Sequence, residues 1–162
     1  MNRHIVVMGV SGSGTTTVGT LLAQRLGLPY RDGDDLHPQD NIDKMAAGVA
    51  LDDEDRWPWL ELVGGWLADH PGGGVIGCSS LKRSYRDLIR KAAPDAVFVH
   101  VHGTRRVLTE RMSHRPGHFM PPSLLESQLA TLEGLGPEEP GRTFDITDPA
   151  DVLVDKVLAW LA

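Results

Sequence analysis

The residues Gly9-Val-Ser-Gly-Ser-Gly-Thr-Thr-Thr17 follow the apolar run His4-Ile-Val-Val-Met8 and precede the helix-like Val18-Gly-Thr-Leu-Leu-Ala-Gln-Arg-Leu26. A strand, a glycine-rich loop and a helix start in that order are the setting of the phosphate-binding pattern Gly-x-x-x-x-Gly-Lys-Ser/Thr. Gly9, Gly12 and Gly14, with the small Ser11 and Ser13 between them, let backbone N–H groups converge on an oxyanion. The helix N-terminus adds unpaired donors and its dipole. Thr16 stands where the motif places a hydroxyl for Mg²⁺, and Thr17 can cap or pack. Thr15 stands where the motif has lysine, and its short neutral side chain cannot reach the β- and γ-phosphates as an ammonium does. A hydrogen bond to a charged group contributes about 1.5–3 kcal/mol. A cation acting in the transition state is worth about 10³–10⁵ in rate. Nucleotide binding therefore tolerates the exchange better than turnover does.

Carboxylates and cations recur downstream at useful spacings. Asp32 and Asp34 are two apart at the end of an expected strand, which puts both on one face. One can hold Mg²⁺ through water and the other can take the proton of an attacking hydroxyl; the Asp-Gly-Asp-Asp run equally suits an Asx turn. His37, just before Pro38, can hydrogen-bond a hydroxyl or cap the next helix. Asn41 and Lys44 are three apart on an expected helix and share a face, although Lys44 has acidic neighbours to pair with. Arg56 and Arg86 carry the planar fork that matches a carboxylate. Lys82 lies four residues before Arg86, on the same side of an expected helix and close to the end of the third strand. Arg111 and Arg115 are also four apart, ahead of the loop-like Gly117-His-Phe-Met-Pro-Pro122; a basic helix C-terminus is the other reading of that pair. Cys78 reads as a small buried residue. Trp57, Trp59 and Trp66 read as helix packing, with Pro58 at a helix start.

These groups need a scaffold, and the hydrophobic pattern supplies one. Strands are expected at His4–Met8, Leu28–Arg31, Gly74–Cys78, Ala96–Val101 and Thr143–Ile146. Helices are expected at about 15–26, 38–47, 53–69, 82–92, 104–113, 122–133 and 149–161. Such alternation implies an α/β fold with parallel strands and crossover helices. No repeat or composition shift divides the 162 residues, so one domain spanning 1–162 is expected. The chain is 41% hydrophobic and 23% charged, with no apolar run long enough to cross a membrane. A strand opening at His4 leaves no room for a signal peptide, and a single cysteine permits no internal disulfide; both point to the cytoplasm. A net charge of −6 argues against broad nucleic-acid binding. The charge is uneven. Asp32–Glu61 holds ten acidic residues against two basic ones, while Lys82–Arg115 holds nine basic against three acidic. Solvated helix faces are one explanation; a metal and hydroxyl side facing an anion side is the other.

Read in order, the phosphate loop, Arg31-Asp-Gly-Asp-Asp-Leu-His-Pro38, Asn41-Ile-Asp-Lys-Met45, Leu51-Asp-Asp-Glu-Asp-Arg-Trp-Pro-Trp-Leu60, Cys78-Ser-Ser-Leu-Lys82, Tyr85-Arg-Asp87 and Arg115-Pro-Gly-His-Phe-Met120 resemble the gluconokinases, small P-loop kinases related to shikimate kinase. The resemblance covers nearly the whole chain; Thr15 and, more mildly, Pro116 depart from it. It implies a P-loop NTPase-type five-stranded parallel sheet flanked by helices, a mobile lid at about 112–123, and a homodimer. It implies transfer of a phosphoryl group from ATP, with Mg²⁺, to D-gluconate. By the same similarity Thr16 and Asp32 belong to the metal, and Asp34, Lys82, Arg111 and Arg115 to catalysis. Asp34, His37, Asn41, Lys44, Arg56, Lys82, Arg86 and His118 belong to the sugar acid. Lys82 would also offset part of the charge Thr15 lacks. Two alternatives stand beside this reading: a degenerate kinase that binds nucleotide or gluconate and regulates something else, and a kinase of another small hydroxy acid such as shikimate.

Overall fold

A computed structural model describes residues 3–10, 12–113 and 122–162. Five strands, β1 (His4–Met8), β2 (Tyr30–Asp32), β3 (Gly74–Gly77), β4 (Val97–His102) and β5 (Gly141–Asp145), form one sheet in the order β2-β3-β1-β4-β5. Every pairing is parallel. The helices are α1 (Thr15–Leu26), α2 (Gln39–Ala46), α3 (Asp53–Ala68), α4 (Arg83–Ala92), α5 (Arg105–Ser113), α6 (Pro122–Thr131) and α7 (Ala150–Leu161), with a short 3-10 turn at Gly33–Leu36.

Parallel strands covered on both faces read as continuous apolar runs. In β1, Ile5, Val6, Val7 and Met8 are all fully buried, and Val99 and Phe98 of β4 lie beside them. Around this sheet pack Leu22 of α1, Leu60 and Leu67 of α3, Ile89 of α4 and Val154 and Val157 of α7, all fully buried. No described helix is long and apolar enough to cross a membrane.

The element boundaries have local causes. At the end of α1, Gly27 takes φ 67°, the Gly27 N–H donates to the Gln24 carbonyl and the Leu28 N–H to the Ala23 carbonyl. This paired closure needs a left-handed residue at its turn. It also claims Leu28 for the helix exit, so β2 begins at Tyr30, two residues later than expected. The strand β5 begins two residues earlier than expected, at Gly141, where a side chain would meet the Phe98 carbonyl at 2.6 Å. Pro58 does not start a helix. It lies inside α3, which opens at a capping box in which Asp52 accepts from the Asp55 N–H and Asp55 from the Asp52 N–H.

Candidate active site

Parallel strands bring the phosphate loop and the acidic turn to the same edge of the sheet. The loop leaves the carboxyl end of β1, the central strand, and Asp32 ends β2, two places away across β3. Ligands of open α/β sheets bind outside these carboxyl ends. Tyr30 draws the two sides together. Its ring lies where a side chain on Gly19 of α1 would stand, 2.5 Å from that Cβ position, and its hydroxyl lies 2.6 Å from the corresponding point on Gly77 of β3. Only glycine at both places lets the helix that carries Thr16 sit against the strand that carries Asp32.

The loop has the geometry of a phosphate cradle. Gly12 and Gly14 take φ 84° and 91°, in the left-handed region that favours glycine. A side chain on Gly9 would strike the Ser13 Oγ at 2.4 Å and the Val101 carbonyl at 2.7 Å. The Ser13 hydroxyl donates to the Val10 carbonyl at 2.7 Å and is fully buried, so it ties the loop rather than facing a ligand. No side chain caps α1 at Gly14, and the first turn holds no acid. The helix start therefore presents its donors and dipole outward. Thr16 and Thr17 are exposed there and Thr15 is half-buried. Among the described residues no three His, Cys, Asp or Glu groups gather into a cation cage. Mg²⁺ is bound through one or two protein oxygens together with phosphates and water. A nucleotide triphosphate with Mg²⁺ thus fits the cradle, with Thr16 and Asp32 as the groups available to the ion.

The two acids do not share a strand face, because the chain turns between them. Asp32 accepts from the Asp34 N–H at 3.0 Å and caps the 3-10 turn. The Asx turn is formed, and it lifts Asp34 out of the strand. The Asp34 side chain is 80% exposed. Crowding by protein atoms, then the charges of Asp32 and Asp35, push its carboxyl above the usual range; the solvent open to it screens that effect.

A second cluster forms between α3 and the start of α4. Lys82 Nζ lies 3.2 Å from both oxygens of Asp53, the Tyr85 hydroxyl donates to Asp53 at 2.5 Å, and Arg56 donates to the Tyr85 oxygen at 2.8 Å. The hydrogen bond from Tyr85 and the Lys82 ammonium hold the Asp53 carboxyl below its usual range. Arg56 and Lys82 remain 26% and 31% exposed, so two cations face solvent around a single anchoring carboxylate.

Other expected contacts are redirected. Arg86 is 1% exposed; its fork is spent on Glu139 at 2.7 and 3.0 Å and on the carbonyls of Ser80, Leu81 and Gly134. It faces inward, away from Lys82, because Lys82 is the extended residue ahead of α4 and not part of its first turn. Arg86 is therefore a structural fork, not a surface group for a sugar acid. Asn41 is 4% exposed and commits its amide to the Asp55 carbonyl and to His37. Lys44 pairs with Asp55 at 2.5 Å, the neighbouring-acid alternative. His37 is only 7% exposed, so it is no surface histidine, and its ring stacks on Trp59 at 4.2 Å. Burial, then the Arg56 charge, lower its pKa. Cys78 is buried, which pushes its thiol up to about 12.

Arg111 reaches the loop from α5. Its guanidinium lies 3.5 Å from the point a Cβ on Gly14 would occupy and donates to the Ile146 carbonyl at 2.5 Å. Ser11, Arg115 and His118 lie outside the described residues, as do 114–121 of the expected lid. Three residues that shape the site carried only weak sequence signals. Asp53 reads as one more acid in a helix's first turn, Tyr85 stands three residues after Lys82, and Trp59 reads as packing. In the fold the Trp59 indole N–H donates to the Gly33 carbonyl at 2.8 Å, inside the acidic turn.

Comparison with known proteins gives the family. A family model described as shikimate kinase matches residues 11–133. A gluconokinase of Gluconobacter oxydans is 46% identical over 159 residues, covering 96% of this chain and 89% of its own. The crystal structure of a gluconokinase from Sinorhizobium meliloti 1021 is 50% identical with a TM-score of 0.89, covering 98% of this chain and 90% of that one. An unliganded sugar kinase from Janibacter sp. HTCC2649 is 46% identical with a TM-score of 0.92, covering 99% and 95%. A likeness this high across the whole length, on a chain with this loop and this acidic turn, means that the protein belongs to the gluconokinases of the shikimate kinase family.

Proposed function

We propose that the chain transfers the γ-phosphoryl group of ATP to a hydroxyl of D-gluconate, giving ADP and 6-phospho-D-gluconate. The observation that carries this reading is the phosphate cradle beside the Asp32–Asp34 turn, on a chain 46–50% identical to gluconokinases. Mg²⁺, held by Thr16 and Asp32, would supply positive charge against the phosphate oxygens. The chain's own groups do the rest. Gly12, Gly14 and the α1 N-terminus orient the phosphates, with Ser11 in the same loop. Thr16 and Asp32 are assigned to the ion. Asp34, whose carboxylate stands open to solvent, accepts the proton of the attacking hydroxyl.

Arg56 is assigned to the gluconate carboxylate, since it is the exposed fork of the second cluster, and Lys82 stands beside it. Lys82 is the expected offset for the charge that Thr15 lacks. Arg111 stands beside the loop and supports that role; Lys82 is held on Asp53 and serves the sugar-acid side. Arg115 and His118 complete the reading from the lid segment. A homodimer in the cytoplasm belongs to the same reading, and light scattering in solution tests the dimer.

The test is ADP release with ATP, Mg²⁺ and D-gluconate, run on this chain and on Thr15→Lys. Gluconate-dependent release by the chain as it stands supports the kinase with Arg111 as a sufficient loop cation. Release only by the lysine variant supports an intact sugar site and favours the alternative of a binding protein for the parent. Silence from both, with ATP still bound by the variant, sinks the gluconate assignment.

A further inference from the structure

Resting on the gluconate reading, we infer that His37 is a positioning residue whose Nε2–H, fixed in that tautomer by Asn41, brackets the acceptor hydroxyl together with Asp34. Carbonyl oxygens only accept, so the bond from Asn41 to the Asp55 carbonyl, 2.9 Å, requires the amide nitrogen to face it. The second hydrogen of that nitrogen points at His37 Nδ1, 3.2 Å away. Nδ1 is then an acceptor, and the proton of the neutral ring sits on Nε2.

A half-turn of the ring would put Cδ2 where Nδ1 stands and forfeit the bond from Asn41. The ring stacks within 15° of the Trp59 plane, and Trp59 is itself tied to the Gly33 carbonyl next to Asp34. The charged groups around His37 are Asp34 of the 3-10 turn and Arg56 of α3, with Asp55 of α3 and its partner Lys44 of α2 behind Asn41. Burial and Arg56 favour the neutral ring.

His37 Nε2 and Asp34 Oδ1 are 3.9 Å apart. That is too far for a hydrogen bond between them, but an oxygen about 2.8 Å from each fits at the apex. A hydroxyl there accepts from Nε2–H and donates to Asp34. With the other tautomer, ring and carboxylate would both be acceptors competing for one proton. In the transfer, the hydroxyl oxygen bonds to phosphorus, the bond to the ADP oxygen breaks, and the proton passes to Asp34; His37 keeps its own. Asn41 thus serves the substrate through His37 and not by contact.

The test uses the whole chain. Long-range proton–nitrogen correlation spectra read the His37 tautomer with and without D-gluconate, and calorimetry reads gluconate affinity for the parent, His37→Gln and His37→Phe. The Gln amide retains a donor near Nε2; Phe retains the stack on Trp59 and loses the donor. The expected result is the Nε2–H tautomer, a gluconate-dependent shift of Nε2, and affinity falling about two- to tenfold in Phe but less in Gln. The Nδ1–H tautomer, an Nε2 signal indifferent to bound gluconate, or Phe binding better than Gln overturns the bracket. No heat with gluconate in the parent itself overturns the gluconate reading and the bracket with it, leaving the tautomer measurement to judge the Asn41 lock alone.

Discussion

At the scale of single residues, the partner met across the fold, and not the position in the helix, decides which cations meet the ligand. Arg56 and Arg86 carry the same fork. Each is the fourth residue of its helix, but Arg56 keeps part of its surface in solvent while Arg86 is swallowed by Glu139. Arg56→Lys keeps the charge and loses the planar fork, so it separates bidentate recognition from simple attraction. Its KM for gluconate is expected to rise about tenfold, the cost of one charge-assisted hydrogen bond, with KM for ATP unchanged. Steady-state kinetics with each substrate varied in turn checks this, and an equal rise in both constants would remove Arg56 from the carboxylate. The fork's chemistry was legible in the sequence. Its direction was not, because the partner of Arg86 stands fifty-three residues away.

At the scale of elements, the period of the apolar residues was sufficient to place every strand and helix to within a few residues. Where the bounds moved, a backbone cause intervened: the glycine closure after α1 and the close approach at Gly141; α3 starts where expected, at its capping box, with Pro58 inside it. The acidic turn shows the same limit. Its content was legible, but a strand's two-residue period no longer applies once Asp32 caps a 3-10 turn. The Arg86–Glu139 pair then fastens the β3–α4 connection to the segment before β5. Burial pushes the Glu139 carboxyl up, but the Arg86 fork and the Gly136 N–H outweigh it and hold the group below its usual range. Arg86→Met would leave a buried carboxylate without its partner, a change that costs about 3–5 kcal/mol. Urea unfolding at pH 7 is expected to show that loss, with Arg86→Met/Glu139→Gln recovering part of it. A double variant no more stable than the single one would mean that the carbonyls of Ser80 and Leu81, not the ion pair, carry the cost.

At the scale of the whole molecule, the sheet that aligns the loop with the acidic turn also buries a base. His100 of β4 is 2% exposed, level with Met8 of β1 in the register, and its Nε2 has no hydrogen-bond partner among the described residues. Burial, then the charges of His102 and Arg86, lower its pKa to about 4. An unfolded histidine titrates near about 6.5. Below that pH the unfolded chain takes up a proton that the native chain refuses until about pH 4. This contribution is therefore fully present above pH 6.5, declines as the pH falls through the window, and levels off below about 4, a loss of about 3 kcal/mol in all. Paired carboxylates such as Glu139 lose their own contribution at lower pH, and His37, also lowered, contributes equally to parent and variant, so the difference between the two isolates His100. Unfolding free energies measured from pH 7 to pH 5 are expected to fall more steeply for the parent than for His100→Gln, whatever the variant's stability at pH 7. Parallel slopes would mean that the imidazole finds a proton acceptor in the native core, and that acid sensitivity lies with His37 and the carboxylates.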